Sequence, residues 1–133
     1  MALTVLNTYK NALLTDKANC PNWSSDNIKV VLVTSGHTFD TDADAFLDDV
    51  LAANRVMTSD NLTVTVSGRN VDAADGVALN DTNNGRVSTQ AFVYYDTGVE
   101  STSRLLAHDD AVALTSDGTN DVLNFNASGI FDL

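Results

Sequence analysis

Runs of β-branched and apolar residues recur along this chain roughly every 8 to 15 residues, and Asp, Asn and Gly fill almost every gap between them. That rhythm suits short strands joined by tight turns. It does not suit α/β crossovers, because no helix-length amphipathic segments alternate with the apolar runs. Residues 28–34, Ile-Lys-Val-Val-Leu-Val-Thr, are apolar almost throughout and predict a central strand buried on both faces. Residues 62–67 alternate strictly between apolar and Thr/Ser, which predicts a strand with one buried and one solvated face. Residues 87–95, 104–108, 111–114 and 122–126 supply further apolar segments, and Asn84-Gly85 is a favoured pair for a hairpin turn. The expected fold is mainly β: an antiparallel β-sandwich, or a barrel-like closure of the same sheet, in one domain covering residues 1–133.

Two helical segments are expected to interrupt the strands. Val5, Leu6, Tyr9, Ala12 and Leu13 fall at helical spacing, predicting an N-terminal amphipathic helix within residues 1–18. Its apolar face must pack on the domain's own sheet or on a neighbouring subunit. A short helix, or helical turns, is predicted near residues 40–51, with Phe46, Leu47, Val50 and Leu51 on one side and Asp42, Asp44, Asp48 and Asp49 on the others. The closing Ile130, Phe131 and Leu133 are expected to be tied into a sheet or a partner.

Charge narrows the function. The formal net charge is -11, and Glu100 is the only glutamate among the 18 acidic residues. The seven Lys and Arg are scattered and form no basic stripe, so direct binding of nucleic acid is not expected, nor is an anionic membrane surface. The use of Asp over Glu is itself structural: short polar side chains bond nearby backbone and favour turns over helix interiors. Cys20 stands alone, so the fold rests on its core rather than on a disulfide. The start of the chain lacks a basic region leading into an apolar run, and no stretch reaches the roughly 18 to 20 apolar residues of a span. Synthesis and folding in the cytoplasm are expected.

The chemistry-bearing residues are sparse. Asp40-Thr41-Asp42-Ala43-Asp44 has the alternating carboxylates of a calcium loop, but Ala45 and Leu51 stand where an EF-hand needs Gly and a bidentate Glu. Asp40, Asp42 and Asp44 remain a weak candidate for some other divalent site, with a solvated acidic loop as the plainer reading. His37 and His108 are the natural candidates for a general base or ligand, yet they sit in unrelated turn and strand-end contexts. Asp48-Asp49 and Asp109-Asp110 are adjacent pairs, which an extended backbone would point to opposite faces. Trp23 is expected to anchor its Pro/Asn/Ser loop in the core, or else to serve as an exposed contact. No catalytic residues and no cofactor are predicted.

Several segments, taken in order, resemble a family of small tailed-phage structural proteins. They are Met1-Ala2-Leu3-Thr4-Val5, residues 26–35 running into Thr38-Phe39-Asp40, residues 93–98 followed by Ser101-Thr102-Ser103 and Leu105-Leu106-Ala107, and residues 125–130. Residues 52–86 match least. The resemblance implies a virion component, commonly a β-sandwich seated on the head shell. The expected role is a capsid cement or decoration subunit that binds the major capsid protein at capsomer junctions and associates with itself on the shell, as a trimer or similar. Val5, Leu6, Tyr9, Leu13 and Trp23 are the candidate contact residues. A minor tail or neck protein, or a carbohydrate- or calcium-binding β-sandwich module, are the alternatives.

Overall fold

A computed structural model describes residues 3–119 and 121–125 and the backbone of residues 131–132. Its strands are β1 (Thr4–Val5), β2 (Ile28–Val33), β3 (Arg55–Ser59), β4 (Val64–Ser67), β5 (Asn70–Ala73), β6 (Val77–Asn80), β7 (Val87–Ser88), β8 (Gln90–Tyr95), β9 (Leu105–Asp109), β10 (Leu114–Thr115), β11 (Val122–Leu123) and β12 (Phe131–Asp132). One helix, α1, spans Asn7–Thr15. Seven strands form one sheet in the order β1-β9-β8-β2-β3-β6-β11, accompanied by a β10-β7 pair and a β12-β5-β4 sheet. Pairing is antiparallel throughout. The large sheet curls into a half-barrel, as the mainly β sandwich-or-barrel expectation required.

β2 lies at the middle of this sheet, between β8 and β3. Ile28, Val30, Val31, Leu32 and Val33 are all essentially inaccessible to solvent, so both faces of the strand are covered. Each such side chain contributes about 1.5 to 3 kcal/mol when withdrawn from water. Lys29 is the polar exception, and its ammonium reaches the Asp96 carboxylate at 2.8 Å. Cross-strand partners share a face, so the registers define one row running through Thr4, His108, Phe92, Val31, Thr58 and Asn80.

The N-terminal segment departs from its expected form. Thr4 and Val5 are not helical but pair with His108 and Ala107 of β9, and the Leu6 N–H donates to Leu106 O. The helix begins only at Asn7, with Leu6 in the N-cap position and no side chain of its own to cap it. Thr41 satisfies its first turn instead: Asn7 N–H donates to Thr41 Oγ1 at 2.9 Å and Thr8 N–H to Thr41 O at 3.1 Å. The apolar face is covered within the chain: Leu6 and Tyr9 are fully buried and Val5 and Trp23 are 8% exposed. The Trp23 indole N–H donates to Tyr9 Oη at 2.8 Å, in an edge-on ring contact. Val5, Leu6, Tyr9 and Trp23 therefore do not offer a contact surface to a neighbour. Leu13 is half-buried against the same core.

The short helix expected near residues 40–51 reduces to a single 3-10 turn, Leu47–Asp49, with a second at Ala52–Asn54. Short acidic side chains compete for the backbone there. Asp49 accepts from Ala45 N–H and Phe46 N–H, and Asp44 accepts from Asp40 N–H. Leu47 N–H is drawn to Ser103 O and Phe46 bridges to Arg104, so the segment follows the sheet. Arg104, itself buried, lies 4.5 Å from the Phe46 ring centroid and donates to Asn19 O and Asp16 Oδ2. One side chain thus ties the end of the helical region to the sheet.

Two turn expectations also change. Asn84-Gly85 does not close a hairpin: β6 and β7 belong to different sheets, and Asn84 is held by Ser116 Oγ and Val56 O. The tight hairpin joins β4 to β5 at Gly68, whose φ of +60° is what the first position of a two-residue turn demands. In β4, Val66 is 45% exposed, so that strand's apolar face is only partly covered. At the end of the chain, the β12 backbone pairs with β5, while Ile130, Leu133 and the Phe131 side chain lie outside the described residues, as do Met1, Ala2 and residues 126–129. Among the described residues no helix is long and apolar enough to cross a membrane.

Burial separates two leucines near α1. Leu6→Ala should cost about 2 to 5 kcal/mol in urea unfolding. Leu14→Ala, at a position 87% exposed, should stay within about 0.5 kcal/mol of wild type. Equal costs at the two positions would contradict the placement of the helix.

Candidate functional site

The polar end of the Thr4–Asn80 row is the most organised cluster of titratable groups among the described residues. His108 sits on β9 opposite Phe92 of β8, and both are nearly closed to solvent. The loop leaving β2 folds over them. His37 meets the Phe92 ring edge-on at 5.6 Å, and Phe39 stacks flat on the His108 imidazole at 3.7 Å. His37 Nε2 also bonds Asp44 Oδ2 at 2.9 Å, both side chains being only 9% exposed. Two histidines from unrelated sequence contexts therefore pack on one phenylalanine. Spacing could not reveal this, because it depends on the path of residues 34–46.

Gln90 fixes the chemistry of His108. Its Nε2 donates to two carbonyl oxygens, Thr34 O and His37 O, each at 2.8 Å. A carbonyl can only accept, so the amide orientation is set and Oε1 must face His108 Nε2, 2.8 Å away. Oε1 is an acceptor, hence Nε2 carries the proton and the neutral ring keeps its lone pair on Nδ1. Burial lowers the His108 pKa from its usual value. Asp110, Asp109 and Asp44 pull it upward, and His37 reinforces the lowering. The ring borders a cleft of about 290 Å³ shared with Thr4, Phe39, Gln90 and Asp110.

A second cleft of about 320 Å³ opens at the other end of the row, where Thr58 and Asn80 meet Arg55 and Arg86. Its cations are occupied. Arg55 donates to Val50 O, Leu47 O and both oxygens of Glu100, and Arg86 donates to Ala53 O. Hydrogen bonding from Arg55 holds Glu100 below the ordinary carboxylate value.

Asp40, Asp42 and Asp44 do not converge. Asp40 accepts from Asp42 N–H, Asp42 from the Asn7 amide, and Asp44 from His37 and Asp40 N–H. The one cluster of metal-ligating type among the described residues is elsewhere, at Asp81, Asp117 and Asp121, whose carboxylate oxygens lie within 4.8 Å of one another. Asp81 is largely spent on its own turn: it accepts from Ser116 Oγ and from the N–H groups of Asn83, Asp117 and Gly118. Those bonds, led by Ser116, hold its pKa low. Tyr9, Trp23 and Tyr94 are buried and Tyr95 is half-buried, so none of the Tyr and Trp side chains stands exposed to stack a sugar among the described residues.

The same local bonding recurs around the molecule. In seven places among the described residues an Asp or Asn side chain accepts from the N–H two residues on, at Asn22, Asp40, Asp81, Asn84, Asp96, Asp109 and Asp117. No family model, curated protein or solved structure matches the chain.

The lowered His108 pKa gives stability a pH dependence of definite sign. The unfolded chain binds that proton more readily, so the contribution is intact above the ordinary histidine value of 6.5 and is lost as pH falls through the folded value. In denaturant unfolding, the stability advantage of wild type over His108→Gln should shrink between about pH 7.5 and about pH 5. An advantage that stays constant over that range would contradict a neutral, buried ring.

Proposed function

We propose that the chain is a structural subunit of a tailed-phage particle, of the capsid cement type, which adheres to the outer head shell at capsomer junctions and holds it together. The observation that carries this reading is the use of the acidic side chains. They brace turns, five of them among the described residues by the two-residue bond, and so make a stiff body with an anionic exterior. Stiffness matters for cement. A subunit present in many copies needs only modest contacts each, provided the contacts are held in fixed geometry. The net charge of -11 keeps such a subunit off the packaged genome. The ordered resemblance of segments along the chain supports the same placement. The partner is the major capsid protein, with self-association on the shell.

The contact points differ from those expected of the sequence. Val5, Leu6, Tyr9 and Trp23 serve the core, whereas Leu14 and Leu51 stand 87% and 65% exposed. Apolar side chains so placed are suited to a partner surface. A glycan-binding module is disfavoured by the burial of Tyr9, Trp23 and Tyr94.

Quantitative mass spectrometry of purified particles should find the chain in a fixed ratio to the major shell protein, with a copy number in the hundreds for a head position and about a dozen or fewer for a neck or tail position. Absence from particles would overturn the proposal. With heads stripped of the subunit, Leu14→Asp and Leu51→Asp, both on exposed positions, should rebind at least about fivefold more weakly than wild type.

A further inference from the structure

We infer that the His108 cleft is a binding site for a small organic cation bearing N–H donors, a primary ammonium or guanidinium group. His108 is only 5% exposed, and its Nε2 is committed to Gln90. Among the described residues the one sealed side-chain N or O atom without a hydrogen-bond partner is Ser88 Oγ. Among those residues no hydrogen bond reaches His108 Nδ1, which is not one of the sealed atoms, and His108 lines the cleft, so that in this reading Nδ1 is the atom that faces it. It carries a lone pair and can only accept.

The rest of the lining selects the ligand. Asp110 is exposed at the rim and supplies a negative charge, Thr4 lies beside it, and the Phe39 ring gives an apolar wall for a hydrocarbon stem. An anion would meet acceptors and a carboxylate. A transition metal is poorly served, because His108 belongs to no three-ligand cluster among the described residues. An alkylammonium satisfies each wall at once: N–H to Nδ1, charge to Asp110, stem to Phe39. About 290 Å³ suits a group of a few heavy atoms.

The groups facing the ring make this binding pH-dependent. Asp109 and Asp110 come from its own strand and the turn after it, and Asp44 and His37 from the covering loop; Gln90 and Phe92 of β8, Thr4 of β1 and Phe39 are uncharged. A proton on Nδ1 occupies the lone pair, so cation binding weakens as pH falls.

The test uses ¹⁵N-labelled protein and long-range imidazole spectra during titration with n-butylammonium chloride. His108 should show its proton on Nε2 before addition. Its Nδ1 resonance should then shift saturably, with a dissociation constant on the order of millimolar. Tetramethylammonium, which has the charge but no N–H, should leave it unmoved. Asp110→Asn should weaken n-butylammonium binding about five- to tenfold without altering the fold. Tighter binding of a short peptide with one lysine would assign the cation to a partner's side chain, and tighter binding of the free amine to a small molecule. A ring protonated on Nδ1, no saturable shift below about 100 mM, or an equal response to tetramethylammonium would overturn the inference. It does not rest on the virion reading, since particle composition and cleft occupancy are measured separately.

Discussion

A strand that is apolar on both faces cannot stand at the surface of anything, and β2 imposes that condition on the whole molecule. Strands on either side satisfy its hydrogen bonds, but its side chains need cover above and below. The sheet answers partly by curling and partly by recruiting connections. Residues 34–54 are too rich in Asp to form a helix and too apolar at Phe39, Leu47 and Val50 to stay in water, so they lie across the sheet. The polar cluster is a consequence. Once Phe39 covers the row that includes Phe92 and His108, His37 arrives with it, and Gln90 becomes the group that ties the loop's carbonyls to the strand.

The abundance of Asp then has two meanings that operate at different ranges. Within a turn, each carboxylate accepts nearby N–H groups and replaces hydrogen bonds that a helix or ladder would have made. Across the surface, the same carboxylates sum to a field that repels polyanions. Asp serves both purposes where Glu would serve only the second, because the longer side chain reaches past the backbone that needs an acceptor. The turn-bonded carboxylates Asp81, Asp96 and Asp117 all have depressed pKa values; at Asp81 and Asp117 the hydrogen bonds lead the shift, and at Asp96 they and Lys29 prevail over burial. Their bracing is therefore present at neutral pH and is lost as pH falls through their lowered values.

This division also explains what could be read from the residues alone. The β class and the central strand were legible, because continuous apolarity over residues 28–34 admits few other fates. Asn7–Thr15 was legible as a helix, but its start was not. Val5 and Leu6 fit a helical stripe and an edge strand equally well, and β9 decided the matter by offering partners. Near residues 40–51 the helical turn was legible but its length was not, because apolar periodicity ignores side chains that bond their own backbone, and Asp44 and Asp49 do so. Asn84-Gly85 failed for a related reason: Asn84 found distant partners in Ser116 and Val56. Of the candidate site, His37 and His108 were legible as single candidates, but their convergence was not. His37, Gln90 and His108 become neighbours only through sheet register and loop path, although a histidine at the end of an apolar run, with an alternating partner strand available, is the kind of residue to test for burial.

Whether that cluster is a site or merely a satisfied polar network turns on its one asymmetry. A buried network is costly unless every member is paired, and an apolar residue at position 108 would pack there with less risk. Here the pairing is nearly complete: the Gln90 amide spends both protons and its oxygen, and His108 spends Nε2. Gln90 and a stacked phenylalanine hold one imidazole in a single tautomer, and the residue whose second nitrogen is left over among the described residues also lines a cleft. A purely structural network has no reason to place its single unpaired atom there, since a threonine or water-filled groove would serve packing as well. Orientation of this kind, rigid behind and open in front, is what a ligand-accepting group requires.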